Sequence, residues 1–157
     1  MNRRIVLVFV AGVVVLGVVS ALVFRERPVA VVVPQPVGDA ARACDDLHRQ
    51  LPATVAGQGH RDVTPESDRT AAWGGRAIVL RCGVGTPSAL QPTSELTTID
   101  GIDWLQESAD GATRWTTVGR VAYVEVTIPD SYDPPSDALV DLGPAIRAAD
   151  PELTTTG

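Results

Sequence analysis

The run Ile5–Phe24 constrains this chain more than any other feature. Fifteen of its twenty residues are Val, Leu, Ile or Phe, the rest are Gly, Ala or Ser, and no charge interrupts it. Twenty helical residues reach about 30 Å, the hydrocarbon thickness of a bilayer. Each large aliphatic residue favours insertion by about 0.3–0.6 kcal/mol, so the run is read as a membrane-spanning helix. In lipid a single segment satisfies its own backbone only as a helix, whatever its β-branched content. The basic start Asn2-Arg3-Arg4 also suits a secretory signal, with Val19-Ser20-Ala21 before a cut. Leu22-Val23-Phe24 prolongs the run past a usual signal core, which favours a retained anchor.

Arg3 and Arg4 on one flank are matched by Arg25 and Arg27 on the other, so charge alone does not orient the segment. A short basic start before a first apolar segment ordinarily stays in the cytoplasm. That leaves the rest of the chain outside, and we expect a single-pass protein of the cell membrane. Whole-chain net charge is −6. Residues 28–157 keep nine arginines against eighteen acids, a body charge of −9. Such a body is repelled by phosphate backbones, so nucleic acid is not expected as a partner. The chain has no Lys, and with its abundant Ala, Val, Gly and Asp this reads as GC-rich coding bias.

The expected organisation is a cytoplasmic end at 1–4, the membrane helix at 5–24, a linker at 25–39, an extracytoplasmic domain at 40–150 and a disordered tail at 151–157. Three prolines between Pro28 and Asp39 disfavour helix. The stretch is either an extended spacer holding the body about 30 Å from the membrane or, over Val29–Val33, a docked edge strand. Ala40, Cys44, Leu47 and Leu51 share one helical face, with Asp39 as N-cap and Pro52 as stop. Residues 53–72 read as a long polar loop with one short turn near Pro65–Thr70.

Five strands are expected next: Ala77–Val84, Leu96–Ile99, Ile102–Ser108, Thr113–Val118 and Val121–Ile128. Ile78, Leu80 and Cys82 alternate with Val79 and Arg81, Asp100-Gly101 is a type I′ hairpin signal, and Gly119-Arg120 fits a Gly-X turn into Val121–Ile128. Ser136 is the N-cap of a last helix that carries Leu139, Leu142 and Ile146 on one face, with a kink or restart at Pro144. The chain is expected to fray from Asp150. The fold class is α+β: after the membrane helix, a small antiparallel sheet of about five strands with helices packed on one face.

Chemistry-bearing motifs are sparse. Cys44 on the helix face and Cys82 on the inward strand face both point into one core. In an oxidising compartment they form a disulfide; in the cytoplasm they stay reduced. There is no Cys-x-x-Cys, so redox catalysis and a zinc ribbon are unsupported. Cys44 follows Ala41-Arg42-Ala43 but lies some twenty residues past the apolar run, so lipidation is rejected. The two histidines, His48 and His60, do not form a ligand set by spacing. Asp130, Asp133 and Asp137 lack the spacing of a calcium loop. No nucleophile elbow or phosphate-cradling loop is present, so no metal, cofactor or catalytic residue is assigned. Among Trp73, Arg76, Arg81, Trp104, Trp115 and Arg120, each suits a structural role. Trp73, Arg81 and Trp104 are the expected contact residues, because Trp and Arg favour binding hot spots.

Cys44 with Leu51-Pro52, Trp73-Gly74, Ile78-Val79-Leu80-Arg81-Cys82-Gly83-Val84, Gly101-Ile102-Asp103-Trp104 and Gly119-Arg120 before Val124-Glu125-Val126 resemble the actinobacterial domain of unknown function 3515. The resemblance spans about residues 44–150, with Leu-Arg-Cys-Gly its most specific part. It implies a single-pass envelope protein with one small outer domain and carries no activity, so no catalytic residue transfers. Gly75-Arg76-Ala77 departs from the family's proline-bearing lead-in, which weakens any role for Arg76. The expected function is an anchored interaction module binding an envelope protein or wall component. The alternatives are an envelope hydrolase or transferase with a dispersed site using His48 or His60, and an accessory subunit acting through Ile5–Phe24.

Overall fold

The computed structural model describes residues 27–153. Ile5–Phe24 lies outside the described residues, and among the described residues no helix is long and apolar enough to cross a membrane. In chain order the elements are β1 (Val29–Ala30), α1 (Gly38–Gln50), β2 (Thr54–Val55), β3 (Gln58–Arg61), β4 (Val63–Thr64) and β5 (Thr70–Trp73). β6 (Ile78–Val84), β7 (Thr97–Ile99), β8 (Ile102–Ala109), β9 (Ala112–Val118), β10 (Tyr123–Pro129) and α2 (Ser136–Ala149) follow.

The main sheet is antiparallel throughout, in the order β2-β3-β5-β6-β10-β9-β8-β7. Two meanders, β2-β3-β5-β6 and β7 to β10, join where β6 pairs with β10. The connection after β6 therefore has to carry the chain to the opposite edge of the sheet. On the inner face Ile78, Leu80 and Cys82 of β6 meet Val124, Val126 and Ile128 of β10, all buried. Both helices cover that face and share one core with it: α1 contributes Ala43, Cys44 and Leu47, and α2 contributes Leu139, Leu142 and Ile146. Burying each such aliphatic side chain is worth about 1.5–3 kcal/mol, so this layer dominates the fold's stability. The α+β class with helices on one face matches the expectation.

Eight strands replace the expected five because residues 53–72 are not one long loop. β2 and β3 form a hairpin that adds to β5, and β5 pairs with β6. Their sequence hides them. β3 (Gln-Gly-His-Arg) shows no alternation of burial, while all four residues of β5 (Thr-Ala-Ala-Trp) are buried. The period-2 signal needs one wet face and one dry face.

Helix ends also differ from expectation. Val37 occupies the N-cap position of α1 without a side-chain cap, and Asp39 instead lies in the first turn, ion-paired with Arg42. Pro135, not Ser136, precedes α2. Pro144 sits inside a continuous α2, whose buried residues lie on both sides of it. Tertiary packing along the whole stripe outweighs the lost backbone bond. Asp100 and Gly101 take φ of 50° and 72°, as a type I′ turn demands. Gly119-Arg120 is not a two-residue turn, since β9 ends at Val118 and β10 starts at Tyr123.

Where fraying was expected, the chain after α2 returns along that connection. The Val121 amide donates to the Pro151 carbonyl at 3.1 Å, and the Leu153 amide donates to that of Gly119 at 2.8 Å.

Residues 27–37 form a strap against the body. β1 pairs in parallel with β4, and the Val31 amide donates to the Thr64 carbonyl at 3.0 Å. Pro36 lies on Gly83, where a Cβ would come within 2.5 Å of its ring and where φ is +80°. Of the two readings of Val29–Val33, the structure holds a version of the docked strand.

Cys44 and Cys82 are bonded, with Cα atoms 5.5 Å apart and a sequence separation of 38. In the chain-entropy account such a loop stabilises by about 4 kcal/mol. Replacing both cysteines with Ser should lower the unfolding free energy by about that amount in urea titration. A loss under about 1 kcal/mol would mean the cross-link does not constrain the unfolded chain.

Candidate functional site

A cleft of about 500 Å³ opens between the end of α1, strand β3 and the segment joining β4 to β5. It contains both histidines of the chain, His48 and His60, together with Asp62, Glu66, Ser67 and Asp68. Neither Arg nor Lys lines it, so its fixed charge is acidic.

Each part is placed by packing. Cys44 and Leu47 bury the apolar face of α1, which brings His48 to the helix end beside residues 66–68. His48 Nε2 lies 3.4 Å from Asp68 Oδ1, while its Nδ1 is buried without a partner. His60 pairs in register with Trp73 and meets the indole edge-on, ring centroids 6.1 Å apart. Trp73 is fully buried and donates its Nε1 hydrogen to the Pro52 carbonyl at 3.1 Å. The acidic segment is tied to α1 by Arg69, which bonds Asp45; that hydrogen bond is the main cause holding the Asp45 carboxyl below the usual carboxylate range. The Ser67 hydroxyl oxygen accepts the Arg69 amide at 3.1 Å. A smaller hollow of about 270 Å³ adjoins the cleft, shares Ser67 and Asp68 with it, and runs under Pro34 and Pro36 of the strap.

The contact residues read from sequence do not meet in one patch. Trp73 and Trp104 are core residues with no accessible surface. Trp73 bears on the cleft only as the wall behind His60. Arg81 lies on the opposite sheet face, directly across from Glu125, with Nη1 3.2 Å from Oε1. Arg114 approaches the same carboxylate at 3.4 Å, so Glu125 sits between two guanidinium groups. Among the described residues no cluster of His, Cys, Asp and Glu has metal-holding geometry.

Sequence reasoning missed the cleft because its parts come from three segments without a spacing pattern. It also missed a polar cluster at the end of α2. Asp150 is fully buried. Its Oδ1 accepts the Ala122 amide at 2.9 Å, and its Oδ2 has no partner. Buried Arg120 donates to the Asp150 carbonyl and approaches Glu152 at 3.5 Å. Burial pushes the Asp150 carboxyl up from 3.8 to about 6, more than the Ala122 amide and the Arg120 charge lower it. This cluster closes the chain end onto the sheet and lines no cleft described here.

The family described as Protein of unknown function (DUF3515) matches residues 4–154. The chain belongs to that family. No curated protein and no solved structure matches it.

Between pH 4 and 6 folded Asp150 holds a proton that the unfolded chain has released. Its contribution to stability is complete below the unfolded value and is lost as pH rises through about 6. Asp150→Asn removes this dependence, so its stability relative to wild type should rise from pH 4 to pH 7. The rise should be on the order of 2 kcal/mol, allowing for partial solvation. Urea titrations giving the same difference at both pH values would contradict the assignment.

Proposed function

Starting from membership of a family that brings no activity with it, we propose that this chain is a membrane-anchored, extracytoplasmic binding module of the cell envelope. Its ligand site is the His48–His60 cleft, and the ligand presents an amine or another cationic group. The reading is supported above all by the cleft itself: a concavity large enough for a small headgroup or side chain, with three carboxylates and two imidazoles converging in it. The disulfide agrees with an oxidising compartment, where such bonds persist. Ile5–Phe24 supplies the anchor, and the bound partner is an envelope protein or wall component exposing a cation.

One observation favours a second reading, an envelope hydrolase or transferase. His48 faces Asp68 in the cleft that also contains Ser67, groups of the kind that move protons in acyl transfer. Trp73 and Trp104, being buried, are set aside as contact residues, and Arg81 is engaged with Glu125.

Two measurements test the proposal. In intact cells a membrane-impermeant thiol reagent should label Cys44 and Cys82 only after reduction and denaturation of the outer domain. Free thiols reached only after lysis would put the body inside. In the purified protein, N-acetyl-lysine amide should shift the ring signals of His48 and His60 saturably in NMR titration. Asp62→Asn, Glu66→Gln and Asp68→Asn together should weaken that binding about tenfold, since exposed charge pairs contribute up to about 1 kcal/mol each. Unmoved ring signals, or equal binding by the triple variant, would remove the cation site. Hydrolysis of an ester probe that His48→Ala abolishes would decide for the enzyme.

A further inference from the structure

The strap alters where the cleft stands relative to a membrane. A free linker over residues 28–39 would hold the body some 30 Å away. Instead the strap is fastened to the body from its first described residue. Arg61 Nη2 donates to the Arg27 carbonyl at 2.8 Å, while its Nη1 donates to the Gly74 carbonyl at 3.1 Å. The Val29 amide donates to the Asp62 carbonyl at 2.8 Å, β1 pairs with β4, and Pro36 packs on Gly83.

The apolar run ends at Phe24, three peptide units before Arg27. However residues 25 and 26 are arranged, three units span at most about 11 Å. The interfacial layer on each side of the hydrocarbon is itself roughly 5–8 Å deep. If the anchor proposed above ends at Phe24 on the edge of the hydrocarbon, this reach keeps Arg27 in the headgroup layer or within a few Å of it. Pro28 lines the cleft, and Asp62 is both its wall and the backbone partner of Val29.

We propose that the domain is seated directly on the bilayer, with the surface around Pro28 and Asp62 in contact with phospholipid headgroups. The cleft's ligand is then met at the membrane surface. This rests on the anchoring proposed above. The seat comes from tether length and not from affinity, since a body of net charge −9 is repelled by anionic lipid. Lengthening the tether should therefore undo it.

The test uses the full chain in vesicles of phosphatidylethanolamine and phosphatidylglycerol, with a photoreactive benzoylphenylalanine replacing exposed Asp62. Irradiation should yield phospholipid adducts, detected by mass spectrometry. A twenty-residue Gly/Ser insertion between Phe24 and Arg25 should cut the adduct yield about fivefold, as the local lipid concentration falls. Flotation with the vesicles reports anchoring separately. A chain that floats but gives no adducts, or gives equal yields with and without the insertion, overturns the seating while leaving the anchor intact. A chain that does not float removes the anchor and the seating together.

Discussion

The bond between Cys44 and Cys82 is the constraint on which the arrangement of this domain depends. It fastens the middle of α1 to the inner face of β6 at 5.5 Å between Cα atoms. With Leu47 buried beside it, the helix has one rotation and one height over the sheet. Asp45, adjacent to the bonded cysteine, then meets Arg69, and His48, one turn further on, meets Asp68. Ala43 is buried on the same face, and Ala40 and Leu51 pack against the same core, so the cross-link and the apolar stripe hold the helix in one place. The cross-link therefore positions a site to which it contributes no atom.

The second determinant is the pairing of β5 with β6, which extends the obvious strand pair toward the histidine side. Trp73 opposite Ile78 fills the core at that edge, and its indole turns an edge to His60 on β3. A residue rich in apolar surface thus serves as scaffold, while a small polar strand beside it faces the cleft. Across the same sheet, Arg81 and Arg114 enclose Glu125. The two faces divide the labour, one carrying the apolar core and the other a charge array closed on itself.

The strap and the chain end show the same economy at the two ends of the domain. Arg61 collects the carbonyls of Arg27 and Gly74, joining the point where the chain enters the body to the β5–β6 turn. Arg120 and Asp150 join the end of α2 to the β9–β10 connection. Burial of Asp150 raises its pKa more than the Ala122 amide and Arg120 lower it, and its Oδ2 has no partner there. The end tied by buried Arg120 and Asp150 is specified by geometry, because a polar group moved out of place there would lose its partner away from water.

The sequence by itself determined whatever was written as a period or an uninterrupted run. Ile5–Phe24 stood out by length, the faces of α1 and α2 by their 3.6-residue spacing, and β6 to β10 by alternation and the Asp100-Gly101 turn. Cys44 and Cys82 could be paired because each lay on a legible inward face. Only the tertiary structure decided that the stretch expected as a loop carries β2, β3, β4 and most of β5, that the proline-rich stretch is a docked strap, and that His48, His60 and Asp68 share one cleft. β3 and β5 carry no alternation, the one mostly wet and the other buried throughout, and the two residues of β2 are too few to show a period. Side chains brought together from a helix, a strand and a loop have no common spacing. Periodicity records the contact each segment makes with the core, whereas the cleft is made by contacts between segments, which no single stretch of the chain encodes.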